Sequence, residues 1–390
     1  MDIERIQDYL IEQELDGWLL ADFHGRNNVA VEMLGLSGII TRRSFYFIPQ
    51  EGAPTGIVHA IERDKFQGVP GEIKTYSSYK LLEKELAEVL SGCKQVAMEY
   101  SPKGRLPYIG LVDAGTIELV RGLGIEIISS ADLVANFQAR LSTEQVATHR
   151  VAANNLIKIK DSAFEYISRS LKDNKPITEY DVSRFILNQF EKYDMVSSNP
   201  PICAVDANAG NPHYEPTAES SATIKMGQLI LIDLWAKVKH QDGIYADITW
   251  MAYAGSENEI PKRYKDIFAV LVRARDEAVS FIGENLSQHP VYGFQVDDVC
   301  RGIIKEAGYG EYFTHRTGHS ITSAEHGPGP NIDNLETEDN RELQQGHLFS
   351  IEPGIYLPDG GLRTEIDVLI SQDGPEITTL PLQTTIAPLF

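Results

Sequence analysis

The chain has 390 residues, which is long for one ordinary hydrophobic core and favours two folded domains. Its formal net charge of −21 argues against nucleic acid and against an anionic membrane surface as partners. Three scattered cysteines in no CxxC arrangement favour a reducing compartment over disulfides or a thiolate metal site. A charged N-terminus and the lack of a long apolar run predict neither signal peptide nor membrane anchor, so we expect a cytoplasmic protein.

The first 140 residues alternate between helical and extended patterns. Helical periodicity at 3–15 and 79–91 is interleaved with the strand-like apolar runs WLLADF, SFYFIPQ, PTGIVHA and KQVAMEY. This alternation predicts an N-terminal α/β domain over residues 1–140. Ser142 and Gln145 then form a capping-box pattern ahead of a long helix, so we expect a second domain over residues 141–390.

The second part of the chain repeats one pattern twice. Two predicted helices precede predicted strands in each half: first helices 143–172 and 178–193 with strands at about 200–204, 229–236 and 244–253, then helices 262–286 and 295–307 with strands near 346–356 and 363–371. Each half therefore contributes one strand pair. Such a repeat is what two duplicated halves around a pseudo-symmetric site would give.

Each strand pair carries two acidic residues inside apolar sequence. Asp233 precedes Asp247 by fourteen residues, and Glu352 precedes Glu365 by thirteen residues. A carboxylate inside a buried strand costs several kcal/mol unless a charge partner or a metal compensates it. Any one of these acids alone is as readily explained as a strand-end or turn residue. The four together with a histidine form an oxygen-rich set that suits two divalent ions, and they predict a dinuclear metallohydrolase.

The segment between the two pairs, HRTGHSITSAEH, carries the three histidines His315, His319 and His326. His319 taken alone would be interpreted as a hydrogen-bonded core histidine. Its occurrence together with the two acidic strand pairs favours a metal ligand among these histidines. The order acid, acid, GH, EPG and RxE within about 130 residues is a pattern that chance rarely assembles.

These blocks resemble a known family. LIDLW with YADITW, HRTGHS, SIEPGIY and GLRTEID are similar to the signature blocks of the pita-bread metallopeptidases, which include methionine aminopeptidase, aminopeptidase P and prolidase. The resemblance implies a C-terminal, pseudo-symmetric pita-bread α+β domain. The N-terminal α/β domain resembles the creatinase-type domain of aminopeptidase P and prolidase.

The resemblance also implies roles for the five ligands. Asp233 is expected to chelate a first metal ion alone, and Asp247 and Glu365 to bridge two ions. His319 and Glu352 are expected to complete the second site. Manganese is the expected metal, with cobalt or zinc as alternatives. Water bridging the two ions would lose a proton near neutral pH and attack the scissile carbonyl.

Further roles concern proton transfer and the substrate. Glu352 is expected to move the proton towards the leaving amine. His213 and His326 resemble the family's histidines beside the substrate, where they would steady the tetrahedral intermediate. His315 and Arg363 are expected to bind substrate, Arg363 through a carboxylate that belongs to the peptide or to the surrounding protein.

The implied activity is that of a metal-dependent exopeptidase on peptides with proline in second position, as an Xaa-Pro aminopeptidase or an Xaa-Pro dipeptidase. A homodimer is expected. A creatinase-like hydrolase and a non-catalytic peptide-binding relative are the alternatives, and both typically lack the ligand set. Trp235 stands where the family usually has glycine, and Trp250 where it usually has arginine, so we expect both tryptophans to reshape the pocket.

Overall fold

The computed structural model describes residues 1–390, which form two compact units, Met1–Gln138 and Ala139–Phe390. They are called here the N-terminal unit and the C-terminal unit. Short 3-10 helices occur at Ala60–Phe66, Pro102–Gly104, Pro107–Ile109, Asp206–Gly210, Glu257–Glu259 and Gly310–Tyr312. None of the helices is both long enough and apolar enough to cross a membrane.

The N-terminal unit is a mixed sheet flanked by helices. Its strands are β1 (Gly17–Asp22), β2 (Ser44–Pro49), β3 (Thr55–His59), β4 (Glu72–Tyr76), β5 (Gln95–Met98) and β6 (Glu126–Ser129). Its helices are α1 (Ile3–Glu12), α2 (Asn28–Met33), α3 (Tyr79–Val89), α4 (Ala114–Arg121) and α5 (Ala131–Phe137). The strand order is β4-β3-β2-β1-β5-β6, with β2 antiparallel to both of its neighbours and the other pairs parallel.

Both faces of this sheet are buried. Alternate residues of a strand point to opposite faces, so Leu19 packs in the cluster with Leu82 of α3, whereas Trp18 packs with Leu10 of α1 and Leu133 of α5. This two-sided burial explains why the central strands β1 and β2 are mostly apolar, unlike the edge strand β4.

The first half of the C-terminal unit contains a long hairpin backed by two helices. Helices α6 (Thr143–Lys172) and α7 (Glu179–Lys192) are followed by β7 (Met195–Val196), β8 (Ile202–Val205), β9 (Leu229–Val238) and β10 (Tyr245–Tyr253). Helix α6 begins at the predicted capping box, in which Ser142 Oγ accepts from the Gln145 N–H at 3.2 Å. Strand β9 pairs antiparallel with β10, β8 and β7.

The second half repeats the helix pair but has shorter strands. Helices α8 (Lys262–Asn285) and α9 (Gly293–Glu306) are followed by β11 (Leu348–Ile351), β12 (Gly354–Leu357), β13 (Gly360–Arg363), β14 (Ile366–Ser371), β15 (Gly374–Ile377) and β16 (Ala387–Pro388). Strands β11, β14 and β15 form one sheet, β12 and β13 form a hairpin, and β16 joins the edge of β10.

The predicted strands near 346–356 and 363–371 are wrong as continuous strands. Each is interrupted at its acidic residue, between β11 and β12 at Glu352 and between β13 and β14 at Glu365. The backbone is diverted at both places, because the Glu352 N–H donates to Thr317 O at 2.7 Å and the Glu365 N–H to Thr249 O at 3.3 Å. Pro353, which has no N–H, also prevents the ladder from continuing. The acids of this half therefore stand in gaps between strands, unlike Asp233 and Asp247.

Candidate metal centre

The β9–β10 hairpin presents two acids on one face. Asp233 lies opposite Thr249 and Asp247 lies opposite Trp235 in the antiparallel register, so all four side chains share a face of the sheet. The opposite face packs against α6 and α7 through residues such as Ile232. Asp233 is 8% exposed and Asp247 is 5% exposed. The helices thus hold a rigid hairpin whose other face carries buried carboxylates.

The two strand breaks bring the second pair of acids to this face. Glu365 accepts a hydrogen bond from Thr249 Oγ1 at 2.7 Å, and the backbone bond to Thr249 O holds the same residue against β10. Glu352 Oε1 accepts from the hydroxyl of Ser350 at 3.2 Å. A gap in a strand frees the backbone to bond to a different segment, which is how both glutamates leave their own sheet.

His319 reaches the same place because Gly318 precedes it. A Cβ atom at position 318 would lie 1.8 Å from Ser350 O, so only glycine permits this close backbone approach. His319 Nδ1 lies 3.3 Å from Ser320 O, which fits a donor there and leaves Nε2 as the free ligand atom. Nε2 is 3.7 Å from Asp247 Oδ2 and 3.5 Å from Glu352 Oε1.

A compact ligand set results from these placements. Asp247, His319 and Glu365 are all buried, and one ligand atom from each lies within 4.8 Å of the others. Glu352 contacts the set through His319, and Asp233 lies on the same hairpin face as Asp247. The structure therefore brings three of the five expected metal ligands into one group and places Glu352 and Asp233 beside it.

The buried carboxylates of the cluster repel one another, and bound cations would relieve this repulsion. Burial raises the pKa of Asp247 and of Glu365 well above the ordinary carboxyl range, and neighbouring acids of the cluster raise it further. Burial, opposed by Arg363, raises the pKa of Glu352 to about 7. Asp233 Oδ1 and Asp247 Oδ1 are buried without a hydrogen-bond partner. Orphaned carboxylate oxygens in such a set fit divalent cations, which would supply the missing partners and lower these pKa values.

Arg363 is bound within the wall of the site. Its Nη2 donates to Asp233 Oδ2, its Nε to Thr249 Oγ1 at 3.0 Å, and its Nη1 to the Tyr356 hydroxyl at 2.8 Å. Tyr356 in turn lies 2.7 Å from His315 Nε2, and His315 Nδ1 lies 2.7 Å from Arg316 O. Burial lowers the pKa of His315 to about 3, so this histidine is neutral and hydrogen-bonded at both ring nitrogens. Hydrogen bonds within the chain thus occupy the polar atoms of Arg363 and His315, which were expected to bind substrate.

His213 and His326 stand outside the ligand set. The His326 ring lies 4.3 Å from the His319 ring, centroid to centroid, and its side chain is 54% exposed. His213 is exposed in a loop where its backbone N–H donates to Asn211 Oδ1 at 3.1 Å. Burial raises the pKa of Asp233 and lowers that of His326, and His213 is near enough to both for its charge to act on them. Both histidines are accessible from solvent.

The two tryptophans face opposite ways, so the expectation that both reshape the pocket is wrong for one of them. Trp235 shares the site face with Asp233, and its indole N–H is buried without a partner. Trp250 packs with the helix-side cluster, where Lys160 Nζ lies 3.5 Å from its ring centroid. Successive side chains of a strand point to opposite faces, so Trp250, three positions after Asp247, points away from the face that carries Asp247.

Several residues that support the site were not identified from sequence. Thr249 donates to Glu365 and accepts from Arg363, so one hydroxyl links an acid to the arginine. Asp367 accepts from the Asp247 N–H at 2.9 Å and is fully buried. Thr249 follows Asp247 by two residues, and Asp367 follows Glu365 by two residues. In an extended chain, residues two positions apart point to the same side, and this spacing could have revealed both.

Comparison with known proteins identifies the family. The model of metallopeptidase family M24 matches residues 153–372. The putative dipeptidase YkvY of Bacillus subtilis is 28% identical over 385 residues, 95% of each chain. The Xaa-Pro dipeptidase of Pyrococcus horikoshii is 28% identical over 297 residues, 76% of each chain. The solved structure of dipeptidase PepE from Mycobacterium ulcerans superposes with a TM-score of 0.74 at 20% identity, covering 99% of this chain and 97% of that one.

The structural likeness extends over both units and confirms the predicted fold class, a creatinase-like N-terminal α/β domain followed by a pseudo-symmetric pita-bread α+β domain. At 20% identity the solved structure informs the fold alone. The family model matches more than half of the sequence and contains all five residues of the candidate metal centre. The chain belongs to metallopeptidase family M24.

Proposed function

We propose that this metallopeptidase is an exopeptidase with two divalent ions, which hydrolyses the bond between an N-terminal residue and a following proline. The observation that carries the proposal is the buried set of Asp247, His319 and Glu365, with unpartnered carboxylate oxygens beside it. Relatives described as an Xaa-Pro dipeptidase and a putative dipeptidase support the choice of substrate. Peptide hydrolysis itself follows from membership of the family.

The proposed ligand roles keep the assignment that the family resemblance implies. Asp247 and Glu365, which belong to one buried group with His319, would bridge two ions, while Asp233, paired with Arg363, would bind one of them. His319 and Glu352, 3.5 Å apart, would hold the other. Bound ions would polarise the scissile carbonyl and lower the pKa of water near neutrality. Manganese is our proposal for the native metal, with cobalt and zinc to be compared.

The remaining groups act on protons and substrate. Glu352 lies next to the cluster with Ser350 holding one of its oxygens, so we assign it transfer of a proton from the attacking water to the leaving amine. His326 and His213, both accessible, would donate hydrogen bonds to the substrate around the scissile carbonyl. For Arg363 and His315 we replace the expected substrate contact with positioning, because their polar atoms are bonded within the chain.

A hydrolysis panel tests the proposal. Protein purified without chelator would be incubated with Xaa-Pro dipeptides, Xaa-Pro-Yaa peptides and matched Xaa-Ala peptides, with Mn²⁺, Co²⁺ or Zn²⁺ in turn. We expect hydrolysis of Xaa-Pro bonds, abolished by a chelator and restored by metal. Dipeptides cut in preference to tripeptides would indicate an Xaa-Pro dipeptidase, and the reverse an Xaa-Pro aminopeptidase. Sedimentation of the same sample would test the proposed homodimer.

Two outcomes would replace the proposal. Absence of bound metal together with absence of activation by all three ions would favour a non-catalytic peptide-binding protein of this fold. Turnover of a creatine-like amidino compound without metal would favour a creatinase-like hydrolase.

A further inference from the structure

Glu325 is a carboxylate beside the metal centre that the proposed mechanism does not use. Its side chain is 19% exposed, and the hydroxyl of Ser198 donates to its Oε2 at 2.7 Å. Ser198 belongs to the loop that precedes β8, whereas Glu325 follows His319 in the chain. Two separate segments of the C-terminal unit therefore fix this carboxylate in place.

Glu325 lies next to the metal centre. The ring centroids of His319 and His326 are 4.3 Å apart, and Glu325 Oε1 lies 3.7 Å from His326 Nε2. Burial raises the pKa of Glu325, and the negative charge of Asp233 raises it further. The carboxylate of Glu325 thus contacts the histidine beside the cluster and lies within electrostatic range of Asp247.

No permanent cation of the chain neutralises Glu325. Its ion-pair contact is with the imidazole of His326, 3.7 Å from Nε2, and not with a lysine or an arginine. A partly buried carboxylate that lacks a cationic partner is costly, and a cationic ligand group would recover that cost. A positively charged ligand group would therefore be stabilised at this position.

A peptide offers two positive groups near an N-terminal scissile bond. The α-amino group is two bonds from the scissile carbonyl carbon, so a carbonyl at the metal centre would keep this amine among the cluster's own acids. A lysine or arginine side chain places its charge at the end of a long flexible stem. The carboxylate of Glu325 contacts His326 and is not one of the proposed metal ligands, so it suits the second group.

We propose that Glu325 is a specificity-determining residue that binds the basic side chain of a lysine or arginine at the N-terminal position of the substrate. This inference rests on the proposed function, because it concerns the residue preceding the cleaved bond. The enzyme would prefer peptides that begin with lysine or arginine over isosteric neutral ones. Ser198 would orient the carboxylate for this contact.

The test compares lysyl-proline with norleucyl-proline, which has the same stem without the ammonium group. For the metal-loaded wild-type protein we expect kcat/KM to be about tenfold higher for lysyl-proline, the gain from one partly buried ion pair. Glu325→Gln should remove this preference, so that the two peptides have equal kcat/KM, and the metal content should stay unchanged. Glu338→Gln, at an exposed glutamate, is the matched control and should keep the preference.

The outcomes separate the two proposals. If neither peptide nor any other Xaa-Pro peptide is cleaved, the proposed function fails and this inference with it. Equal kcat/KM values for the two peptides in the wild-type protein would overturn the role of Glu325 alone. An equal loss for both peptides in Glu325→Gln would also overturn it, since that result would mean that Glu325 merely positions His326. Loss of metal from Glu325→Gln would show instead that Glu325 is a metal ligand. Charge reversal, Glu325→Lys, should favour glutamyl-proline.

Discussion

Arg363 donates through Nη2 to Oδ2 of Asp233, and both side chains are buried at the edge of the metal centre. The same guanidinium also holds Thr249 and Tyr356, so one cation organises one wall of the site. Asp233 Oδ1 is left without a partner. Asp233 can thus keep its ion pair through one oxygen while the other faces the remaining acids.

Replacement of this arginine should destabilise the protein strongly. In Arg363→Gln the buried Asp233 loses its cation, and we expect the free energy of unfolding in excess chelator to fall by about 3–5 kcal/mol. Urea denaturation followed by circular dichroism would measure this. Arg263→Gln, which breaks an exposed pair with Asp359, should cost far less, because solvent screens that pair. Similar losses in the two variants would contradict a structural role for the Arg363 pair.

Loss of a bridging acid should empty the metal centre. We expect Asp247→Ala and Glu365→Ala to lose both ions, because each would remove a ligand shared by the two sites. Asp233→Ala should mainly weaken one site. Metal analysis after gel filtration would give the number of ions per chain. Two ions retained by Glu365→Ala would exclude the bridging assignment.

An amide substitution would separate the two proposed roles of Glu352, metal ligand and proton carrier. Glu352→Gln keeps the side-chain shape and should keep the fold and some metal, but it cannot carry the proton. We expect kcat to fall by a factor on the order of 10²–10⁴. Steady-state kinetics at saturating metal would measure the change, with metal content as the control. Near-normal turnover would assign proton transfer to another group.

The opposite orientations of Trp235 and Trp250 predict different phenotypes. Trp250→Leu should reduce the free energy of unfolding by about 1–3 kcal/mol through lost packing against α6, and leave kcat/KM unchanged. Trp235→Leu should change kcat/KM, because this side chain shares the face of Asp233 and Asp247. Thermal denaturation and peptide kinetics on both variants would decide. A change of kcat/KM in Trp250→Leu alone would contradict the orientation.

His149 should make the protein less stable in mild acid. Burial lowers its pKa to about 4 from an ordinary value of 6.5, with Nδ1 2.7 Å from Tyr245 O. Between these values the unfolded chain binds a proton that the folded chain does not, so stability falls as pH drops from 6.5 towards 4 and then levels off. The largest expected loss is about 3 kcal/mol. This contribution is absent above pH 6.5.

Comparison with a variant isolates that contribution. Urea unfolding in excess chelator at several pH values should show a shallower loss in His149→Gln than in the wild-type protein. His240→Gln, at an exposed histidine, should keep the wild-type slope. Parallel pH profiles for wild type and His149→Gln would show that His149 takes up its proton equally in both states.

Local patterns in the sequence were sufficient for the six helices of ten or more residues and for the identity of the acids, but not for the short helices α2, α4 and α5. The capping boxes at Ser142 and Thr178 mark the first residues of α6 and α7, because a cap satisfies backbone groups through neighbours three residues away. Asp233 and Asp247 stand out because a charge inside an apolar run is conspicuous in any fold. These features depend on residues close together in the chain.

Contacts between distant segments decided the rest. Periodicity does not show that β11–β12 and β13–β14 break at Glu352 and Glu365, because the bonds that divert the backbone come from Thr317 and Thr249. The pairing of Arg363 with Asp233 joins residues 130 positions apart. The sequence by itself determined which residues could bind metal and hydrolyse a peptide bond. Only the tertiary structure decided which way they face and which polar groups they satisfy, because those bonds form when separate strands meet.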